Sequence, residues 1–317
     1  MENQVMMKKQ KIKVLLAGSP KLAIPAFQAL LDDQRFEILG LLTQPDQPAG
    51  RGLKLTPPSA KVWALENDLT VWQPEKIKLW QNELIDLKPD VVVVIAYGKL
   101  IPEAMLNQIE FGWVNIHGSL LPKYRGAGVL FAPIINNDKE TGVSIMKLVK
   151  EMDAGPIITQ EKIILDNQET MGSLSEKIAT VAAEILPNTL FDYIQGKLVP
   201  QEQDQTRVSY AGLISTEDAK IDWQKEAVDI DALVRAMQPA PGAWTMWREQ
   251  RIKIIAGRIS EQGWLNPGKV GLLDGQLAIG SKKGSLIIDK IQLAGRPVVS
   301  AQEFLIGQPQ ILGEYLT

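Results

Sequence analysis

His117 is the only histidine among 317 residues, the one side chain of the chain whose unperturbed charge changes near neutral pH. It follows Asn115 by two positions in Asn115-Ile116-His117-Gly118-Ser119, at the end of the β-rich run Trp113–His117. Alternate residues of a strand leave the same face, so an amide and an imidazole at this spacing can converge on one bound atom. Such a pair suits an oxyanion. Were an amine to attack a carbonyl here, each donor would be worth on the order of 10²-fold or more in rate by stabilising the tetrahedral intermediate. Asp153 is the third candidate, in the turn-forming cluster Met152-Asp153-Ala154-Gly155-Pro156 between two strand-like runs. A carboxylate beside an imidazole favours the charged ring and fixes its orientation. Each of the three also has a plain structural alternative: a hydrogen-bonded core histidine, an amide paired with backbone, a solvated turn aspartate. The chain has no cysteine, which excludes disulfides, thiolate nucleophiles and Cys-based metal sites. One histidine and no cysteine leave only carboxylates as further ligands, so no metal is expected.

Positioning these residues requires an alternating β/α framework. Lys11 to Ala17 reads as a strand, Ala23 to Leu31 has helical apolar spacing, and Ile38 to Thr43 reads as the next strand. Strand-like runs continue at Val91–Ala96 and Trp113–His117, preceded by helical stretches at Asn82–Leu87 and Pro102–Ile109. That alternation predicts a parallel sheet with right-handed crossovers, and ligands of such sheets gather at the carboxyl ends of the strands, where His117 stands. The first strand runs into Gly18-Ser19-Pro20 rather than a GxGxxG turn, so no dinucleotide site is expected. Gly142–Val149 and Ile157–Ile164 flank the Asp153 turn, and Ser173 with Glu176 predicts a capping box for a helix bearing Leu174, Ile178, Val181 and Ile185.

Beyond Gly196 the character changes. Lys197 to Ser209 is polar and aperiodic and reads as a linker. One helix is expected at Asp229–Met237, and short strands at Ala243–Trp247, Ile252–Ala256, Val270–Leu273, Leu277–Ile279 and Ser285–Ile291. Asp274-Gly275 and Lys283-Gly284 supply hairpin turns, and strands of this kind suggest a small barrel. The organisation expected is therefore an α/β domain over residues 1–196, a linker over 197–209 and an all-β domain over 210–317. Trp223, Trp244 and Trp247 are expected in the barrel core rather than as stacking platforms.

The formal net charge of −3 argues against a general polyanion binder, but the average conceals a patch. From Arg248 to Arg296 nine Lys or Arg stand against four Asp or Glu, a local net of +5. The first residues, Met1–Lys13, carry no secretory pattern, and the longest apolar run, Val91–Tyr97, is too short to span a bilayer. A soluble, cytoplasmic protein is expected.

Asn115-Ile116-His117-Gly118-Ser119-Leu120-Leu121-Pro122-Lys123-Tyr124-Arg125-Gly126-Ala127 resembles the core motif of folate-dependent formyltransferases, and Asp153 falls in the matching later motif. Thr43-Gln44-Pro45-Asp46-Gln47-Pro48-Ala49-Gly50-Arg51-Gly52 resembles the loop that the methionyl-tRNA branch of the family inserts after its second strand. Val94-Ile95-Ala96-Tyr97-Gly98, Ile221-Asp222-Trp223 and Ser300-Ala301-Gln302-Glu303-Phe304 extend the likeness along nearly the whole chain. The resemblance implies a Rossmann-like formyltransferase domain followed by an oligonucleotide-binding (OB-like) barrel. It implies Asn115, His117 and Asp153 as the catalytic set and Ser119, Leu120, Leu121 and Pro122 as the segment touching tetrahydrofolate. Arg51 is the implied tRNA-loop residue, 10-formyltetrahydrofolate the formyl donor, initiator methionyl-tRNA the acceptor, and a monomer the working state. Two segments depart from the family pattern. Gly128-Val129-Leu130-Phe131 stands where Ala-Pro and then a polar or aromatic residue are usual, and Tyr210-Ala211-Gly212-Leu213 lacks a lysine commonly found there. Two other readings stay open on sequence: a formyltransferase of the same fold acting on an amino sugar or nucleotide, and a noncatalytic RNA-binding protein.

Overall fold

The computed structural model describes residues 11–49, 52–260 and 263–317, and within them the chain forms two compact units. The first comprises the chain up to Arg125, Gly142–Ile163 and Glu176–Tyr210; the second comprises Gly126–Thr141, Ile164–Ser175 and Ala211–Thr317. In chain order the elements begin β1 (Ile12–Gly18), α1 (Ile24–Asp32), β2 (Phe36–Leu42), β3 (Gln47–Ala49), β4 (Lys54–Thr56), α2 (Ser59–Glu66) and β5 (Val71–Trp72). They continue α3 (Gln81–Leu87), β6 (Val91–Ile95), α4 (Glu103–Leu106), β7 (Trp113–His117), α5 (Ala132–Ile135), β8 (Glu140–Lys147), β9 (Ile157–Ile164) and α6 (Met171–Ile194).

Seven of these strands form one sheet, ordered β5-β2-β1-β6-β7-β8-β9. Its centre is β6, whose Val-Val-Val-Val-Ile sequence is buried throughout, as a strand covered on both faces requires. The pairs β1/β2, β1/β6, β2/β5 and β6/β7 are parallel, with Val94 opposite Asn115. A sheet parallel throughout is not what forms, because β8 lies antiparallel to β7, with His117 opposite Ser144. A parallel return needs a crossover of a dozen or more residues, usually a helix. The only helix between β7 and β8 is the four-residue α5, which belongs to the other unit.

Other expectations are corrected in detail. Part of the Thr43–Gly52 segment, expected as an irregular loop, pairs as the β3/β4 hairpin, with Gln47 opposite Thr56. Ser173 does not open a capping box with Glu176, since it already lies inside α6. Thr170 holds that end instead: its hydroxyl accepts from Ser173 N–H at 3.1 Å, and Ser173 Oγ accepts from Thr170 N–H at 3.0 Å. Residues 197–209 fold with the first unit, where Ile157 and Gln201 exchange two backbone hydrogen bonds of 2.8 Å.

The second unit adds α7 (Ala227–Ala236), β10 (Ala243–Trp247), β11 (Gln250–Ile259), β12 (Val270–Leu273), β13 (Gln276–Gly280), β14 (Ser285–Leu293), β15 (Val299–Ser300) and α8 (Ala301–Gly307). Its antiparallel sheet runs β10-β11-β14-β13-β12, with β15 beside β14. Asp274 (φ 49°) and Gly275 (φ 75°) make the two-residue turn between β12 and β13, the left-handed pair that a right-twisted hairpin needs. The segment Gly313–Thr317 bridges the two outer strands. Gly313 and Glu314 exchange hydrogen bonds with Val270 on one side, and Thr317 exchanges two with Met246 on the other. The sheet thereby curls shut, in keeping with a small barrel. Trp223, Trp244 and Trp247 are all buried in its core, as their size predicts. Among the described residues no helix is long and apolar enough to cross a membrane.

Candidate active site

The carboxyl end of β7 delivers Asn115 half-buried and His117 only 6% exposed. Both ring nitrogens of His117 face protein. Nε2 lies 2.9 Å from the carbonyl oxygen of Tyr124, and because a carbonyl only accepts, Nε2 carries a hydrogen. Nδ1 lies 3.7 Å from Oδ1 of Asp153, whose side chain is 14% exposed. That separation is longer than a hydrogen bond but within reach of a charge pair, and low exposure strengthens the interaction by lowering the local dielectric. The side chain of Asn115 makes no hydrogen bond among the described residues, so its amide is free to donate. The structure therefore brings His117 and Asp153 together, with Asn115 two residues earlier on the same strand.

Strained backbone frames the pair. Tyr124 (φ 62°) and Asp153 (φ 51°) both adopt the left-handed region, which costs a non-glycine residue roughly 1–2 kcal/mol. The Asp153 turn is further pinned where Gly155 passes the backbone of β8. A Cβ at Gly155 would come 1.8 Å from the Lys147 carbonyl oxygen, and Lys147 N–H donates to Pro156 at 3.0 Å.

The segment after His117 is stitched to β8 and β9 rather than left loose. Ser144 Oγ donates to Ser119 O at 2.6 Å and accepts from Leu121 N–H at 3.0 Å, while Gln160 Nε2 donates to both Leu121 O and Ser144 Oγ. Ser119 is fully buried and spends its hydroxyl on Lys123 O at 2.6 Å, and Leu121 is 3% exposed. Gly118, Leu120 and Pro122 remain half-buried, an apolar margin that follows His117 in the chain. The Leu121–Pro122 peptide is cis. Tyr97, just beyond β6, keeps a buried hydroxyl with no partner among the described residues, and burial pushes its pKa up to about 12, so it stands as a neutral donor.

Arg51 lies outside the described residues. Of the basic candidates in the second unit, Lys253 donates to Pro241 O at 2.6 Å, Arg258 pairs with Asp289 and Gln276, and Lys283 lies 3.7 Å from Glu226. Among the described residues no three His, Asp or Glu side chains form a group that could hold a metal ion. Two residues that sequence reasoning missed, Arg125 and Gln203, are buried behind the Asp153 turn. Nothing in the aperiodic segment around Gln203 signals it.

Residues 10–190 match the family described as Formyl transferase, and residues 213–309 match Formyl transferase, C-terminal domain. The chain belongs to the formyl transferase family. The methionyl-tRNA formyltransferase of Dehalococcoides mccartyi is 38% identical over 302 residues, covering 94% of this chain and 95% of that one. The methionyl-tRNA formyltransferase of Streptococcus mutans is 37% identical over 310 residues, covering 96% and 98%. Among solved structures, an N-formyltransferase from Helicobacter canadensis in complex with folinic acid and dTDP-3-aminofucose aligns with a TM-score of 0.66 at 18% identity, covering 87% of this chain and 98% of that chain. At that identity the likeness shows the shared fold. The formyl transferase family uses folate derivatives as one-carbon carriers.

Proposed function

We propose that this formyl transferase moves the formyl group of 10-formyltetrahydrofolate to the amino group of methionine on initiator tRNA, acting as a monomer in the cytoplasm. The observation that carries the reading is the His117–Asp153 pair, in a chain whose near-full-length relatives are methionyl-tRNA formyltransferases. In the reaction the amine nitrogen bonds to the formyl carbon, the bond from that carbon to the folate nitrogen breaks, and one proton passes from the amine to the folate nitrogen as it leaves. Asn115 and His117 receive the oxygen of the tetrahedral intermediate. His117 does so through Nδ1, since Nε2 is committed to Tyr124, and it must be the imidazolium to donate there. The carboxylate of Asp153, 3.7 Å from Nδ1, balances that charge and serves as the base that takes the amine's proton and returns it to the departing nitrogen. Folate lies along the Ser119, Leu120, Leu121 and Pro122 segment, where half-buried Leu120 and Pro122 offer apolar contact and buried Ser119 and Leu121 hold the segment's shape. Arg51 and the basic stretch from Arg248 to Arg296 hold the tRNA, through phosphate contacts that weaken steeply with salt.

Steady-state assays with 10-formyltetrahydrofolate and three acceptors test this: methionyl-initiator-tRNA, an amino-sugar nucleotide, and water alone. Turnover on the charged tRNA at least about 10³-fold above the other two supports the reading, by analogy with sites built to read a polar substrate. Preferential turnover on the sugar nucleotide, or folate consumption without an acceptor, would overturn it.

A further inference from the structure

Behind the Asp153 turn sits a buried polar relay that takes no direct part in the chemistry proposed above. Gln203 is 5% exposed and Arg125 is 4% exposed, both lower than any solvated pair would be. Gln203 Nε2 donates to the carbonyl oxygens of Asp153 and Gly155, each at 2.8 Å, so both amide hydrogens are used on the turn. Its Oε1 accepts from Arg125 Nε at 3.0 Å and from Arg125 Nη2 at 2.8 Å. Chemistry leaves no choice of amide orientation: guanidinium only donates and carbonyls only accept, so oxygen must face Arg125 and nitrogen must face the turn. Gln205 backs the arrangement, accepting from Arg125 at 3.4 Å and donating to Gln203 O at 3.1 Å. Gln203 Nε2 also lies 3.9 Å from the sulfur of Met146, the residue opposite Asn115 in the sheet.

We infer that Gln203 is a positioning residue for formyl transfer: its amide clamps the backbone on both sides of Ala154 and so holds the Asp153 carboxylate beside His117, with Arg125 keeping that amide correctly turned. The strain of the turn supports this. Asp153 holds a left-handed φ of 51°, a conformation that persists only while neighbouring contacts over-determine it. Two buried hydrogen bonds to the carbonyls of residues 153 and 155 are contacts of that kind, each costly to leave unmade. Released, the turn relaxes toward negative φ and swings the carboxylate off Nδ1. The inference rests on the catalytic role proposed for Asp153.

Gln203→Glu separates positioning from mere stability. The carboxylate keeps the side chain's volume and still accepts from Arg125, but it has no hydrogen for the Asp153 and Gly155 carbonyls. The expected result is a kcat for formylation lowered about 10²-fold, the penalty of an ångström-scale misplacement, with KM for tRNA and folate within threefold of the parent. Because His117 is the only histidine, its imidazole Cε1–H signal is unambiguous in a proton–carbon NMR spectrum. In Gln203→Glu that signal should move toward its position in Asp153→Asn. Gln203→Asn keeps the amide but is one methylene short of spanning both sides; it should fall between, and it carries the test if the glutamate variant does not fold. A folded variant with parent-like kcat, or a lost kcat with the His117 signal unmoved, overturns the inference. If the parent itself does not formylate methionyl-tRNA, the functional reading fails instead, and the NMR comparison still decides whether Gln203 sets the place of Asp153.

Discussion

Adding a single methyl group at Gly155 should disable the chain without unfolding it. The Cβ of an alanine there would stand 1.8 Å from the Lys147 carbonyl oxygen, against the 3.0 Å below which real Cβ atoms essentially never come, so about 1.2 Å must be found. The obstacle is backbone of β8, a strand paired along β7 from Val114 to His117, and it has little freedom to give. The movement therefore falls on the turn, two residues from Asp153, whose carboxylate sits 3.7 Å from His117. A displacement of that order in a reacting geometry costs on the order of 10²-fold in rate, while overpacking costs about 1–3 kcal/mol of stability. The assay is initial-rate formylation of methionyl-initiator-tRNA at saturating folate, well below the midpoint of a parallel thermal melt. Gly155→Ala should show kcat reduced about 10²-fold and KM for tRNA within threefold. A folded variant that keeps kcat within threefold of the parent would refute the claim that the turn's exact path sets the chemistry.

Gly128→Ala, which restores the residue usual in the family, should destabilise this chain by about 1–3 kcal/mol in urea titrations, because its Cβ would lie 2.1 Å from the Gly212 carbonyl oxygen; unchanged stability would show that the backbone at 212 yields freely. Thr170→Ala should cost about 1 kcal/mol in the same titrations through loss of the cap at the start of α6. In α8, hydrogen bonds from the Ser300 hydroxyl and then from its backbone N–H hold the Glu303 carboxyl below its usual value of 4.5. A depressed folded-state value means that this stabilisation is present above the unfolded pKa and disappears as pH falls through the lowered one. The melting difference between parent and Ser300→Ala should accordingly be larger at about pH 7 than at about pH 3; a difference that grows on acidification would contradict the capping geometry.

Strands with one dominant signal were legible in the sequence. Trp113–His117 and Ile157–Ile164 end where the reading placed them, because apolar runs are cut by turn residues whose chemistry is unambiguous. The antiparallel return of β8 was hidden, since strand direction depends on where the intervening residues pack, and α5 packs in the other unit. The β3/β4 hairpin gave no periodic signal because its second strand is exposed at every position, with Leu55 at 73%. Ser173 attracted the capping assignment because it satisfies the pattern with Glu176, but Thr170 reaches the free N–H groups one turn earlier. His117, Asn115 and Asp153 stood as candidates from residue type and spacing, and the structure brings His117 and Asp153 within 3.7 Å. Gln203 could not: the carbonyls it holds are about fifty residues earlier, and only tertiary structure shows them. The two departures from the family pattern, noted separately in sequence, meet in space. Gly128 N–H donates to Ala211 O at 3.0 Å, and its missing Cβ makes room for the backbone at Gly212.

The central claim is that His117 and Asp153 act as one unit in formyl transfer, and a double-mutant cycle on single-turnover rates tests it most directly. His117→Ala and Asp153→Asn should each slow transfer by about 10² to 10⁴-fold, and the double variant should be hardly slower than the worse single one, because removing either member already disables the pair. Losses that multiply in the double variant, or a His117→Ala enzyme that formylates methionyl-tRNA at the parent rate, would contradict it.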